Sequence, residues 1–157
     1  MADKKGSTEI KLSSVVAFEM PIFQALRRLQ QAGEVHAKRL SRFGGLTPMQ
    51  LMVLQVLEKE SRITASDLSG QVSLTAATLS GLLDRLEERG LLQRQRDDQD
   101  RRRQWLLISD EGRELLKRAP SLLPPEFNQH LAATPEWERH NLTAALLRAA
   151  EFCDQDE

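Results

Sequence analysis

The sequence predicts a mostly α fold with one small β-hairpin, and three observations carry that expectation. Apolar residues recur at helical spacing over several long segments of the 157-residue chain. Thr47, Thr64 and Ser109 each stand where the start of a helix needs a capping side chain. Between Leu91 and Ser109 the pattern shifts to two short strand-like runs around a polar tip.

Composition narrows the class. Hydrophobic residues make up 40% and charged residues 29%, as in soluble globular proteins, and the length suits one sizeable core. The apolar runs are too short to cross a bilayer, so no membrane partner is expected. Residues 1–10 carry two lysines with no apolar run behind them, so a secretory leader is not expected there. A single cysteine, Cys153, rules out an internal disulfide framework and suits a reducing cytoplasm. The net charge of −1 does not by itself announce a nucleic-acid binder, but phosphate contacts need only one basic face.

Along the chain, Ile22, Leu26, Leu29 and Leu40 predict a long helix from Pro21 to Arg42, closed by Gly44 and Gly45. If that helix reaches back toward Leu12, Pro21 should kink it. Thr47-Pro48 with Gln50 forms a capping box for a helix to about Lys59, burying Leu51, Val53, Leu54 and Leu57. Thr64 caps a short helix around Leu68. After the turn Gln71-Val72-Ser73, a further helix carries Leu79, Leu82, Leu83 and Leu86 on one stripe and ends at Gly90. Strands over 91–96 and 104–109 flank the tip at 97–102. Ser109 caps the next helix, whose first turn holds Asp110 and Glu111. Pro120, Pro124 and Pro125 interrupt the chain before a last helix from Thr134 to Phe152. Four helices, a hairpin and two helices make a winged helix-turn-helix with helices added at both ends.

The central block resembles the MarR family. Leu46-Thr47-Pro48-Met49-Gln50, Asp67-Leu68, Val72 to Leu79, Leu82 to Leu92, and Arg94 with Asp97, Asp100-Arg101-Arg102 and Leu107 to Gly112 follow its pattern continuously from about Leu46 to Leu116. The resemblance implies a sequence-specific, DNA-binding transcriptional regulator, a ligand-responsive repressor acting as a homodimer on a palindromic operator. It divides the chain into a disordered tail (1–12), an N-terminal dimerisation helix (13–45), a winged helix-turn-helix DNA-binding region (46–112) and C-terminal dimerisation helices (113–157). Pro124-Pro125 departs from the family's long helix after the wing and should reshape the dimer interface and any ligand cavity.

The recognition helix and the wing are the candidate sites. With the leucine stripe facing the core, Thr75, Ala76, Thr78, Ser80 and Arg85 are left outward or flanking, where short hydroxyl side chains can approach base edges or phosphates. Ser73 stands evenly between a helix cap and a contact. In the wing, Arg94, Arg96, Arg101, Arg102 and Arg103 crowd one hairpin, and arginine suits both phosphate and a narrow minor groove. A solvated turn neutralised by Asp97, Asp98 and Asp100 is the plainer reading. The preceding helix-turn-helix tips the balance to double-stranded DNA, with Arg94, Arg101 and Arg102 as contacts and Arg101 as the groove-inserting residue by resemblance. His36 and Arg39 fall where the family lines a small-molecule pocket, though an interfacial or surface role weighs more for both. His36, His130, His140 and Cys153 have no ligand-like spacing, so neither metal nor cofactor is expected. A winged-helix protein–protein module without DNA binding is the alternative. An enzyme has no support, since no phosphate-binding glycine loop or nucleophile motif occurs.

Overall fold

The computed structural model describes residues 4–100 and 102–153, with side chains from residue 15 onward. Helix α1 spans Lys4–Ser41 with Pro21 inside it. Helix α1 takes in residues 4–12 of the tail expected to be disordered, while residues 1–3 lie outside the described residues. Pro21 takes its own N–H out of the helical ladder, and the helix continues on both sides of it. Gly44 and Gly45 follow with φ of 59° and 65°, a left-handed pair that reverses the chain toward α2 (Pro48–Glu60). The α2 capping box forms as the sequence requires. Thr47 Oγ1 accepts the Gln50 amide at 3.2 Å, and Gln50 Oε1 accepts the Thr47 amide at 2.9 Å.

Strand β1 (Ile63–Thr64) has only two residues, too short for any periodicity to announce. Helices α3 (Ala65–Val72) and α4 (Ala76–Glu88) make the helix-turn-helix. Strands β2 (Leu92–Arg96) and β3 (Gln104–Ile108) form the hairpin, pairing Leu92 with Ile108, Arg94 with Leu106 and Arg96 with Gln104. β1 joins the far edge of β3, giving an antiparallel sheet of order β1-β3-β2. Helix α5 (Asp110–Arg118) follows, with Ser109 Oγ accepting the Gly112 amide at 3.0 Å.

The core explains why these elements hold together. Among the described residues, every fully buried apolar side chain lies between Leu40 and Ile108, and Leu54, Leu57, Leu68 and Leu86 are wholly covered. Leu115, Leu116 and Leu122 pack on its edge. The chain divides into two compact units, one through Leu122 and one from Leu123. The second unit holds α6 (Pro125–Ala133), which the sequence reading took only as an interruption, and α7 (Glu136–Glu151). Pro125 takes the first turn of α6, where a missing N–H is harmless. Thr134 closes α6 rather than opening α7, its Oγ1 donating to the His130 carbonyl at 2.8 Å. No described helix is long and apolar enough to cross a membrane.

Candidate nucleic-acid interface

The leucine stripe of α4 sets which side chains can meet a ligand. Leu79, Leu83 and Leu86 are buried, and Leu82 only partly, so the opposite side of the helix is open. Thr75, Ala76, Thr78, Ser80 and Arg85 are all exposed. Thr75 is the cap of α4: its Oγ1 accepts the Thr78 amide at 3.3 Å and donates to Thr78 Oγ1 at 2.9 Å. In that arrangement the Thr78 hydroxyl hydrogen is left to donate outward. Ser73, exposed as well, does not cap α4. It ends α3 in the left-handed region at φ 51°, which turns the chain between the two helices.

Arg94 is placed differently from the other wing arginines. Its guanidinium meets Asp84 Oδ1 and Glu87 Oε2, both at 2.6 Å, and its side chain is only 22% exposed. Because Arg94 opposes the buried Leu106, it points inward and fastens β2 to α4. The structure thus separates Arg94 from the exposed set and makes it a brace. At the C-terminus of the same helix, Arg89 donates to the carbonyls of Gly44 and Gly45, fixing the helix end to the α1–α2 turn.

The wing tip is built on Asp97. Its Oδ1 accepts the amides of Gln99 and Asp100, both at 2.8 Å, and its Oδ2 accepts the Trp105 indole N–H at 2.7 Å. The Asp97 amide donates to the Arg103 carbonyl at 3.0 Å, closing the turn. The amide of Asp100, then the indole and the amide of Gln99, hold the Asp97 carboxyl down at about 2, so it is anionic throughout the neutral range. Asp100 Oδ1 accepts the Arg102 amide at 3.0 Å. Arg96, Arg102 and Arg103 are exposed, whereas Arg101 lies outside the described residues.

Two participants, Arg62 and Trp105, were missed from sequence. Arg62 places its guanidinium 4.9 Å from the centre of the Trp105 ring, and Arg103 places its own at 5.8 Å. Arg62 precedes β1, the strand too short to be recognised, so nothing in the linear pattern brought it to the wing.

A groove of about 540 Å³ lies between α3, α4 and the hairpin, floored by Leu79, Leu83 and Leu106, with Ser80 and Arg94 on its rim. His36 sits elsewhere. It is buried on α1, and its Nε2 donates to the Ser121 carbonyl at 2.8 Å, while its buried Nδ1 has no partner among the described residues. Arg39, its intended companion, is exposed. Among the described residues no group of three His, Cys, Asp or Glu side chains is arranged to hold a metal ion.

Comparison with known proteins places this arrangement among characterised regulators. The sequence profile of the MarR family matches residues 46–103, the stretch that contains the helix-turn-helix and most of the wing. The chain is 31% identical over 97 residues to the transcriptional regulator HosA of Escherichia coli O111:H-, covering 61% of this chain and 72% of that protein. It is 29% identical over 111 residues to the transcriptional repressor MdtR of Bacillus subtilis, covering 68% and 71% respectively. The fold superposes on Sco3205, a MarR family regulator from Streptomyces coelicolor solved in complex with DNA, with a TM-score of 0.75. That match has 22% identity and covers 89% of this chain and 94% of that one.

Proposed function

This chain belongs to the MarR family of transcriptional regulators, and from that premise we propose that it is a ligand-responsive repressor, binding a palindromic operator as a homodimer in the cytoplasm. One observation carries the reading. α4 buries one leucine stripe and leaves Thr75 at its cap and Ala76, Thr78, Ser80 and Arg85 along it exposed, beside a hairpin with exposed Arg96, Arg102 and Arg103. In this reading α4 lies in the major groove. Its hydroxyls contact base edges and phosphates, and the methyl of Ala76 leaves the helix N-terminus open to a phosphate. Arg101 and Arg102 enter or flank the minor groove from the wing tip. Arg94 contributes by holding that wing against α4.

The second copy is inferred from what each unit leaves uncovered. Phe18, Phe23 and Leu26 on α1, and Trp137 and Leu147 on α7, are exposed, and burying each such side chain is worth about 1.5–3 kcal/mol. A two-fold dimer would set two reading heads about 34 Å apart, one turn of DNA. An effector would have to bind the free and DNA-bound states with different affinity. The groove between α3, α4 and the hairpin suits that role, because its occupant would touch Ala76 and Ser80 on the reading helix.

Selection from a randomised duplex pool should recover an inverted repeat with half-sites about one helical turn apart. Failure to retain any DNA at low salt would favour the protein–protein alternative. On the recovered duplex, Arg101→Ala should weaken binding by about 1–3 kcal/mol and flatten the salt dependence by about one unit of slope. Wild-type binding at every salt concentration would remove Arg101 from the interface.

A further inference from the structure

Trp105 ties three parts of the wing together. It lies on β3 between Gln104, which is exposed, and Leu106, which is buried and faces the core, and it pairs with Gln95 of β2 and Thr64 of β1. Its ring is therefore on the outer side of the sheet. There it donates to Asp97 Oδ2, while the other oxygen of that carboxylate holds the Gln99 and Asp100 amides. The torsion that orients a carboxylate is broad and roughly two-fold, so an aspartate held at one oxygen alone would swing. With the indole on one oxygen and two amides on the other, the carboxylate plane is set and so is the turn. The same ring carries the guanidinium groups of Arg62 and Arg103.

We propose that Trp105 is a positioning residue for DNA recognition, fixing the wing turn through Asp97 and holding Arg62 and Arg103 beside the tip arginines. The role rests on the reading of the wing as a DNA contact given above. Its physical basis is pre-organisation: a tip already ordered in the free protein loses less entropy when it binds. A positioning residue and a contact residue leave different signatures. Removing a phosphate contact changes the number of counterions released and flattens the salt dependence. Loosening the tip lowers affinity while the same contacts are still made, so the slope stays.

The test compares Trp105→Phe, which keeps the ring and loses the N–H, with Trp105→Ala, which also loses the stacking, and with Arg102→Ala as a contact control. Binding is measured across a salt series on the duplex recovered by selection, and amide hydrogen exchange on the free proteins. Trp105→Phe should bind about 3- to 10-fold more weakly at every salt concentration with an unchanged slope. The Gln99 and Asp100 amides should exchange faster while those of Leu54 and Leu83 in the core do not. Trp105→Ala should be weaker again. Arg102→Ala should flatten the slope by about one and leave those amides protected. If Trp105→Phe binds like the wild type while Arg102→Ala is weakened, the positioning role alone is overturned. Equal acceleration of the core amides would make Trp105 a general stability residue and overturn it too. If Arg101→Ala and Arg102→Ala both keep wild-type affinity and slope, the wing reading fails and takes this role with it.

Discussion

Gly112→Ala should destabilise the protein by about 2–3 kcal/mol, although the same exchange in an open helix position is stabilising. Gly112 is buried in the first turn of α5, and a Cβ there would fall inside the contact radius of the Leu91 carbonyl oxygen and 2.7 Å from Ile108 Cγ1. The helix cannot slide away easily. Ser109 Oγ donates to the Gly90 carbonyl at 2.6 Å and accepts the Gly112 amide, while the Ser109 amide donates at 3.1 Å to the same Leu91 carbonyl that the new methyl would strike. Helix propensity returns about 1 kcal/mol, which offsets only part of the strain. Gly81, in the middle of α4 with open space around its would-be Cβ, is the matched control, and Gly81→Ala should gain up to about 1 kcal/mol. Thermal unfolding at equal protein concentration reads both. The melting point should fall by about 4–12 °C for Gly112→Ala and rise slightly for Gly81→Ala. A Gly112→Ala protein within half a kcal/mol of wild type would show that α5 docks loosely on the strand before it.

The features that were legible from sequence were local. Thr47 with Gln50, Thr64 with Asp67, and Ser109 with Gly112 all form their caps, since a cap depends on residues within one turn. The stripe Leu79, Leu83 and Leu86 buries as its spacing requires. What was not legible depended on partners distant in sequence or on very short elements. β1 exists because Ile63 and Thr64 meet Leu106 and Trp105 some forty residues on, and two residues have no period. Prolines were read as breaks at 124–125, yet Pro125 opens α6. The extension of α1 to Lys4 escaped for the opposite reason, a segment with no strong signal for either state.

The candidate site divides the same way. Exposure of Thr78, Ser80 and Arg85 followed from the helical period, since each lies to one side of the leucine stripe. The separate use of Arg94 did not, because it needed the register Arg94↔Leu106 to turn the side chain inward and the approach of Asp84 and Glu87 from α4. Ser73 was balanced between cap and contact, and the cap of α4 proved to be Thr75, two residues later. Composition could count arginines around the tip, but the stacking of Arg62 and Arg103 on Trp105 is a product of three-dimensional neighbours.

Phe23→Glu and Leu147→Glu, one in each unit, should each convert the proposed dimer to a species of 17.8 kDa and weaken operator binding by about 100-fold or more. Phe23 is 58% and Leu147 62% exposed, and neither contributes to the core of its own unit, so the folded chain should survive either change. In a two-fold interface each substitution appears twice. A carboxylate placed in an apolar contact without a partner costs several kcal/mol, enough to dissociate a micromolar complex. The separated heads would keep their sequence contacts but lose the effective concentration that seats the second half-site once the first is bound. Binding to a single half-site should therefore stay within a few-fold of wild type while binding to the full inverted repeat collapses. Gln55→Glu makes the same change of charge on the exposed side of α2 and should alter neither mass nor affinity appreciably. Light scattering at micromolar concentration and anisotropy titrations on half and full sites decide between outcomes. A variant that remains twice the monomer mass would place the interface elsewhere. A monomeric variant that still binds the full repeat like the wild type would show that one winged-helix head supplies the recognition alone.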